Sequence, residues 1–189
     1  LEYCLRDADN SKSPIETENQ ELFRVKQPLT CGQNKISITI PVDNPRKWDI
    51  TDPYLYDLQV CLWREQETNS RELCQQEHFR IGFRTMQFDP ARGFLLNGRK
   101  VRLNGACDHH DLGALGAAFH KEAMRRKFEL MRSMGVNAVR TSHNMPAVEL
   151  MELADEMGFL IVSEAFDMWE MAKNPYDYAR FFKEWMEKD

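Results

Sequence analysis

The chain has 189 residues, 42% of them hydrophobic and 11% aromatic, enough apolar surface for one large globular domain or two small ones. The net charge is −5 and the basic residues are dispersed, so a nucleic-acid partner is not expected; the run Arg125-Arg126-Lys127 reads as a solvated helix face. No apolar stretch approaches the roughly 18 residues of a membrane helix, and the chain opens on no basic-then-apolar leader, so no membrane partner is expected and the compartment stays open.

Leu1, Tyr3 and Leu5 alternate with Glu2, Cys4 and Arg6, the period of a half-buried strand already under way, so the native N-terminus is expected upstream. A turn-rich loop over 7–14 and a weaker strand near Leu22 to Val25 follow. Ile36, Ile38, Ile40 and Val42 then alternate with polar neighbours. Asn44-Pro45 and Asp52-Pro53 mark turns around Trp48. Tyr54 to Trp63 predicts a long strand with Tyr56, Leu58, Val60 and Leu62 on one face, and Phe79, Ile81 and Phe83 predict another. Short strands spaced by turns over about ninety residues suggest an antiparallel β-sandwich of immunoglobulin type, short of its first strand. The five cysteines, Cys4, Cys31, Cys61, Cys74 and Cys107, lack metal-type spacing and are expected as thiols rather than a disulfide framework.

Asp89-Pro90-Ala91-Arg92-Gly93 predicts a domain boundary. Beyond it, Asn97-Gly98 between Phe94–Leu96 and Arg99–Leu103 is a strong hairpin signal, since both turn residues tolerate positive φ; such a hairpin would suit the bottom of a barrel. Three strand-then-helix units follow. Val101 to Ala106 ends in Cys107-Asp108-His109-His110-Asp111, Val136 to Val139 ends in Arg140-Thr141-Ser142-His143-Asn144, and Phe159 to Ala165 ends in Phe166-Asp167-Met168-Trp169-Glu170. Their helices are predicted over His120–Met134, Ala147–Met157 with Pro146 at the start, and Tyr178–Met186 with Asn174 as cap before Pro175. Strands joined through helices run parallel, so His109, His143 and Asp167 should share one rim, where α/β folds place chemistry.

Taken in order, Leu96-Asn97-Gly98, Leu103-Asn104-Gly105, His109-His110-Asp111-Leu112-Gly113, the stretch GVNAVRTSHNMP at 135–146 and Glu164-Ala165-Phe166-Asp167-Met168-Trp169 resemble glycoside hydrolase family 2, which includes β-galactosidases and β-glucuronidases. Trp48 and Pro53-Tyr54-Leu55-Tyr56 are similar to a phrase of the immunoglobulin-like domain that precedes the barrel in that family. The resemblance implies a multidomain chain: residues 1–88 as the sandwich, and 89–189 as the first three units of a (β/α)8 TIM barrel. It also implies a retaining exo-β-glycosidase, with terminal β-galactosides favoured over β-glucuronides and β-mannosides. That chemistry needs two carboxyl groups about 5 Å apart, an acid/base and a nucleophile. In the family the acid/base follows an asparagine, and the chain holds no Asn-Glu dipeptide. Both glutamates are therefore expected beyond Asp189, and the 189-residue chain is expected to be inactive and to self-associate.

By the same resemblance His109 and His143 bond the sugar, Arg140 orients the surrounding acids, and Asp111, Asp167 and Trp169 line the nonreducing-end subsite. Asn144 is a sugar contact or a helix cap. Blander roles stand beside these: His109, His143, His110 and His120 as structural histidines, Arg140 as a strand-end anchor held by Glu164, and Glu164 as a barrel-interior carboxylate. No cofactor is indicated. The resemblance allows magnesium or sodium in a full-length parent, but Met168 stands where an acidic metal ligand falls in well-known β-galactosidases. Two other readings compete: a metal-dependent hydrolase using His109, His110, Asp111 and His143, and a noncatalytic sugar-binding module.

Overall fold

Apolar–polar alternation near the start of the chain forms strand β1 (Glu2–Asp7), which pairs antiparallel with β2 (Glu21–Arg24) on one side and β3 (Tyr56–Glu65) on the other. Strand β4 (Arg71–Ile81) extends the sheet past β3, giving the order β2-β1-β3-β4. This computed structural model describes residues 2–7, 21–24, 32–65 and 70–189. Leu1, the expected loop beyond Asp7, Val25 and Cys31 lie outside the described residues. The chain divides into two compact units, Leu1–Gln87 with Leu96–Gly98, and Phe88–Leu95 with Arg99–Asp189.

In the first unit several strand expectations are corrected. Ile36, Ile38, Ile40 and Val42 are half-buried between exposed neighbours, yet they form no strand. Alternation records which side chains face apolar matter, whereas a strand also requires a hydrogen-bonded neighbour along its backbone. Phe83 sits in an isolated bridge with Lys47 beyond the end of β4. Strand β3 is half-buried on both faces rather than on the Tyr56 face alone, and its one buried residue, Cys61, lies on the other face. Among the described residues the four-stranded sheet is the one sheet wholly within this unit.

Trp48 is the unit's largest fully buried side chain, and Gly82 makes room for it: a Cβ there would come within 3.1 Å of the Trp48 Cβ. The Arg84 guanidinium lies 4.7 Å from the Trp48 ring, and the Trp48 amide donates to the Phe83 carbonyl at 2.9 Å. Described cysteines Cys4, Cys61, Cys74 and Cys107 form no disulfide.

Strands β5 (Met86–Asp89), β6 (Gly93–Leu96) and β7 (Arg99–Lys100) make a small sheet in that order. Asn97 and Gly98 join β6 to β7 with φ of 52° and 78°, the two positive values a tight primed turn demands.

The second unit is built on β8 (Gly105–Asp108), β9 (Ala138–Thr141) and β10 (Leu160–Ser163), parallel neighbours in register with β9 at the centre. Each begins later than the apolar runs predict. The Asn137 side chain explains the first case: it accepts from the Asn104 amide at 2.9 Å and donates to the Arg102 carbonyl at 3.0 Å, replacing a ladder over 102–104.

Helix α1 (Lys121–Ser133) buries Met124, Phe128 and Met131, and α2 (Val148–Met157) buries Leu150, Leu153, Ala154 and Met157. Both stripes have helical spacing and join Val139 and Phe159 in one core. The row Ala106, Val139 and Ile161, level across the three strands, faces this core; the next row, Cys107, Arg140 and Val162, is exposed. The first face is thus covered, whereas the second is exposed at this row although Ala138 and Leu160, two residues earlier on the same face, are buried. Phe128 is fully buried and stacks on Phe159 with centroids 4.5 Å apart.

His120 caps α1, its Nδ1 accepting from the Ala123 amide at 3.4 Å, and Gly158 closes α2 in the left-handed conformation. Helix α2 starts at Val148 after Ala147, so Pro146 is not its first residue and Asn144 is not its cap. The predicted helix over Tyr178–Met186 is also corrected. A 3-10 turn at Tyr178–Arg180 is separated by Phe181 from the four-residue α3 (Phe182–Trp185). The capping side chain is Asp177, bonded to the Ala179 amide, whereas Asn174 bonds the Tyr176 amide. No helix among the described residues is long and apolar enough to cross a membrane.

Candidate functional site

Because β8, β9 and β10 are parallel and in register, their C-terminal residues Asp108, Thr141 and Ser163 stand level. The polar residues that follow each strand therefore emerge at one edge. His109, after β8, meets His143, after β9, edge-on with ring centroids 5.0 Å apart. His143 Nδ1 lies 2.8 Å from Glu164 Oε2 and 3.9 Å from Asp167 Oδ1, both of which follow β10. His109, His143 and Asp167 thus do share a rim, and Arg140 joins them through Glu164.

The Arg140 Nε–H donates to Glu164 Oε1, its Nη1 lies 3.6 Å from Cys107 Sγ, and its Nη2 lies 3.5 Å from His143 Nδ1. The anchoring role for Arg140 is therefore real. Glu164 is held in turn by its own amide, which donates to the Thr141 hydroxyl at 3.1 Å. The His143 bond, followed by the Arg140 guanidinium, draws the Glu164 carboxyl below its usual range, while the Glu164 bond raises Arg140 further. Asp167 is also lowered, chiefly by Lys173, whose ammonium reaches its Oδ1 at 2.7 Å.

The other expected site residues are less convergent. Asp111 turns its carboxylate back to the Gly113 amide at 2.7 Å, closing its own loop. Asn144 offers its carbonyl to His110 Nε2 at 3.2 Å, and its residue lines a cavity of about 520 Å³ with Phe166, Asp167, Met168, Asp177 and Tyr178. Trp169 is 70% exposed and does not line that cavity. His110, at φ 52°, belongs instead to a smaller, mostly apolar hollow with Leu112, Phe119 and Met124.

Some contacts were hidden from sequence reasoning. Lys127 is not merely part of a solvated run: its ammonium pairs with the buried Asp108 carboxylate and donates to the Asp111 carbonyl at 2.7 Å. Arg125 likewise pairs with Glu156 at 3.0 Å. Only the position of Asp108 directly before the His-His pair hinted at such a partner. Among the described residues no group of three or more His, Cys, Asp or Glu side chains is arranged to hold a metal ion, so His109, His110, Asp111 and His143 do not form a ligand set.

Residues 6–84 match the family model described as glycosyl hydrolases family 2, and residues 90–178 match the one described as glycosyl hydrolases family 2, TIM barrel domain. The chain is 46% identical over 150 residues to a β-galactosidase of Bacteroides ovatus, covering 79% of this chain and 17% of that protein. It is 34% identical over 154 residues to a putative β-glucuronidase of Formosa agariphila, covering 81% of this chain and 14% of that one. A crystal structure of a glycosyl hydrolase family 2 member from Bacteroides cellulosilyticus superposes with a TM-score of 0.79 at 34% identity, over 100% of this chain and 23% of that one. The chain thus spans about a sixth of the length of these curated relatives.

Proposed function

The chain belongs to glycosyl hydrolase family 2, and on that premise we propose that it supplies one wall of the sugar site of a retaining exo-β-glycosidase acting on terminal β-galactosides. In this reading residues 1–88 are the immunoglobulin-like domain and 89–189 the first three units of the TIM barrel. The observation that supports it most is the meeting of His109, His143 and Asp167 beyond the ends of three parallel neighbours, with Arg140 of β9 beside them, at the edge where such barrels carry their chemistry. Two imidazoles, a carboxylate and a guanidinium supply donors and acceptors for sugar hydroxyls and for charge at a cleaving glycosidic oxygen. Asn144 is a further sugar contact beside Asp167, while Asp111 and Trp169 join only on movement of their loops.

The carboxyl pair that the reaction needs lies outside these residues. Glu164 is committed to Arg140 and His143 and is held ionised, so it is unsuited to donate a proton to a leaving group. We therefore propose that residues 1–189 alone do not turn over. The identity with the Bacteroides ovatus β-galactosidase, against the lower identity with the glucuronidase, supports galactosides first and glucuronides second.

The test is an assay of the purified chain with nitrophenyl β-galactoside and β-glucuronide, beside calorimetry with galactose and glucuronate. Neither turnover nor measurable binding is expected. Turnover would overturn the placement of the glutamates, and binding without turnover would favour a noncatalytic sugar-binding module.

A further inference from the structure

We propose that Glu164 is a positioning residue that fixes the ring proton of His143 on Nδ1, leaving Nε2 as the hydrogen-bond acceptor this imidazole offers to a sugar hydroxyl. The part concerning the sugar rests on the glycosidase reading above; the part concerning the proton stands on geometry alone.

Two neighbours of His143 Nδ1 ask for opposite tautomers. Arg140 Nη2, at 3.5 Å, can only donate, and would need an unprotonated Nδ1. Glu164 Oε2, at 2.8 Å, can only accept when ionised, and needs Nδ1–H. The carboxylate is closer by 0.7 Å, the difference between those two distances, and its bond is charge-assisted. Arg140 loses little, because its Nε–H already donates to the other oxygen of the same carboxylate and its Nη1 lies against Cys107 Sγ.

The remaining groups around the ring do not reverse the choice. Asp167 Oδ1, at 3.9 Å from Nδ1, would also favour a proton there and is itself occupied by Lys173. His109 meets the ring edge-on and makes no hydrogen bond to Nδ1 within this set. Glu164 is drawn below the ordinary carboxylate range, so it stays an acceptor at neutral pH. The Thr141 hydroxyl holds the Glu164 backbone in place. With one ring nitrogen settled, the other follows: a neutral His143 carries its lone pair on Nε2. Such an atom suits a hydroxyl donor and disfavours an anionic oxygen.

Long-range nitrogen–proton correlation of the histidine rings in the 189-residue chain, recorded at mildly alkaline pH, reads the tautomer directly. Loss of one ring's peaks in His143→Gln assigns the signal. The wild type is expected to show Nδ1 of the protonated type and Nε2 of the unprotonated type. In Glu164→Gln the single amide oxygen is claimed by Arg140, which has only donors to give, so the amide NH2 faces Nδ1 and the pattern inverts. A wild-type His143 protonated on Nε2 overturns the proposal, whether or not the variant folds, as does an unchanged pattern in a folded Glu164→Gln. No sugar enters the measurement, so its failure is separate from failure of the glycosidase reading.

Discussion

The main-chain amide of Glu164 donates to the Thr141 hydroxyl at 3.1 Å, tying the residue after β10 to the last residue of β9. The parallel ladder between these strands ends at Thr141 and Ser163, so this side chain continues the pairing by one step beyond the sheet. Thr141 is only 1% exposed, and its shape is matched by valine. Thr141→Val should leave the Glu164 amide without its acceptor and cost about 1–2 kcal/mol. The check is a urea midpoint that falls at unchanged m; an unchanged midpoint would show that the bond is dispensable.

Acid should loosen the rim before it loosens the cores. Glu164 and Asp167 both have folded-state values below their ordinary 4.5 and 3.8. A depressed carboxylate contributes stability that is fully present above its unfolded value and is lost as pH falls through the folded one. Stability measured against pH should therefore decline below about 4.5, and Glu164→Gln should make that decline shallower. An acid limb of equal slope in the variant would remove Glu164 from the account.

Phe128 carries the core beneath the rim. It is fully buried, stacks on Phe159 at 4.5 Å and belongs to the α1 stripe that shares one core with α2, Val139 and Phe159. Phe128→Ala should cost about 3–5 kcal/mol and lower the melting temperature of the unit that includes His109 and His143. Near-wild-type melting would mean that the helices do not form one core with the sheet.

The exposed row Cys107, Arg140 and Val162 and the edges of the parallel sheet predict association. Strands β8 and β10 are edges of their sheet, and Val162, Phe181 and Trp185 are 51%, 47% and 42% exposed. Unpaired edges and apolar surface of this kind favour self-pairing. Light scattering of the purified chain should report species larger than 22.2 kDa. A dilute monomer with a cooperative melt would contradict this.

The rhythm of apolar run and polar cluster was legible in the sequence because a buried parallel strand and the loop after it differ so sharply in composition. His109, His143 and Asp167 could be placed on one rim from that rhythm, and Asn97-Gly98 at a tight turn from its two tolerant residues. Strand starts were not legible, since Asn137 ends the ladder with its side chain, a contact between residues 33 and 35 positions apart. The third helix failed for a local reason. Apolar spacing over 178–186 fits a helix, but Phe181, at φ −118° and ψ −9°, interrupts it. Glu164 shows the limit best: sequence offered it as a partner of Arg140, but only the fold shows that one carboxylate serves Arg140 and His143 together.

The most direct measurement replaces the matching segment of the Bacteroides ovatus β-galactosidase, 46% identical over 150 residues, with the residues of this chain. The hybrid is predicted to hydrolyse nitrophenyl β-galactoside, and His143→Ala within it to lower kcat/KM on the order of 100-fold. A folded hybrid that loses activity outright, or one that hydrolyses equally well without the His143 imidazole, would contradict the assignment of this rim to the sugar.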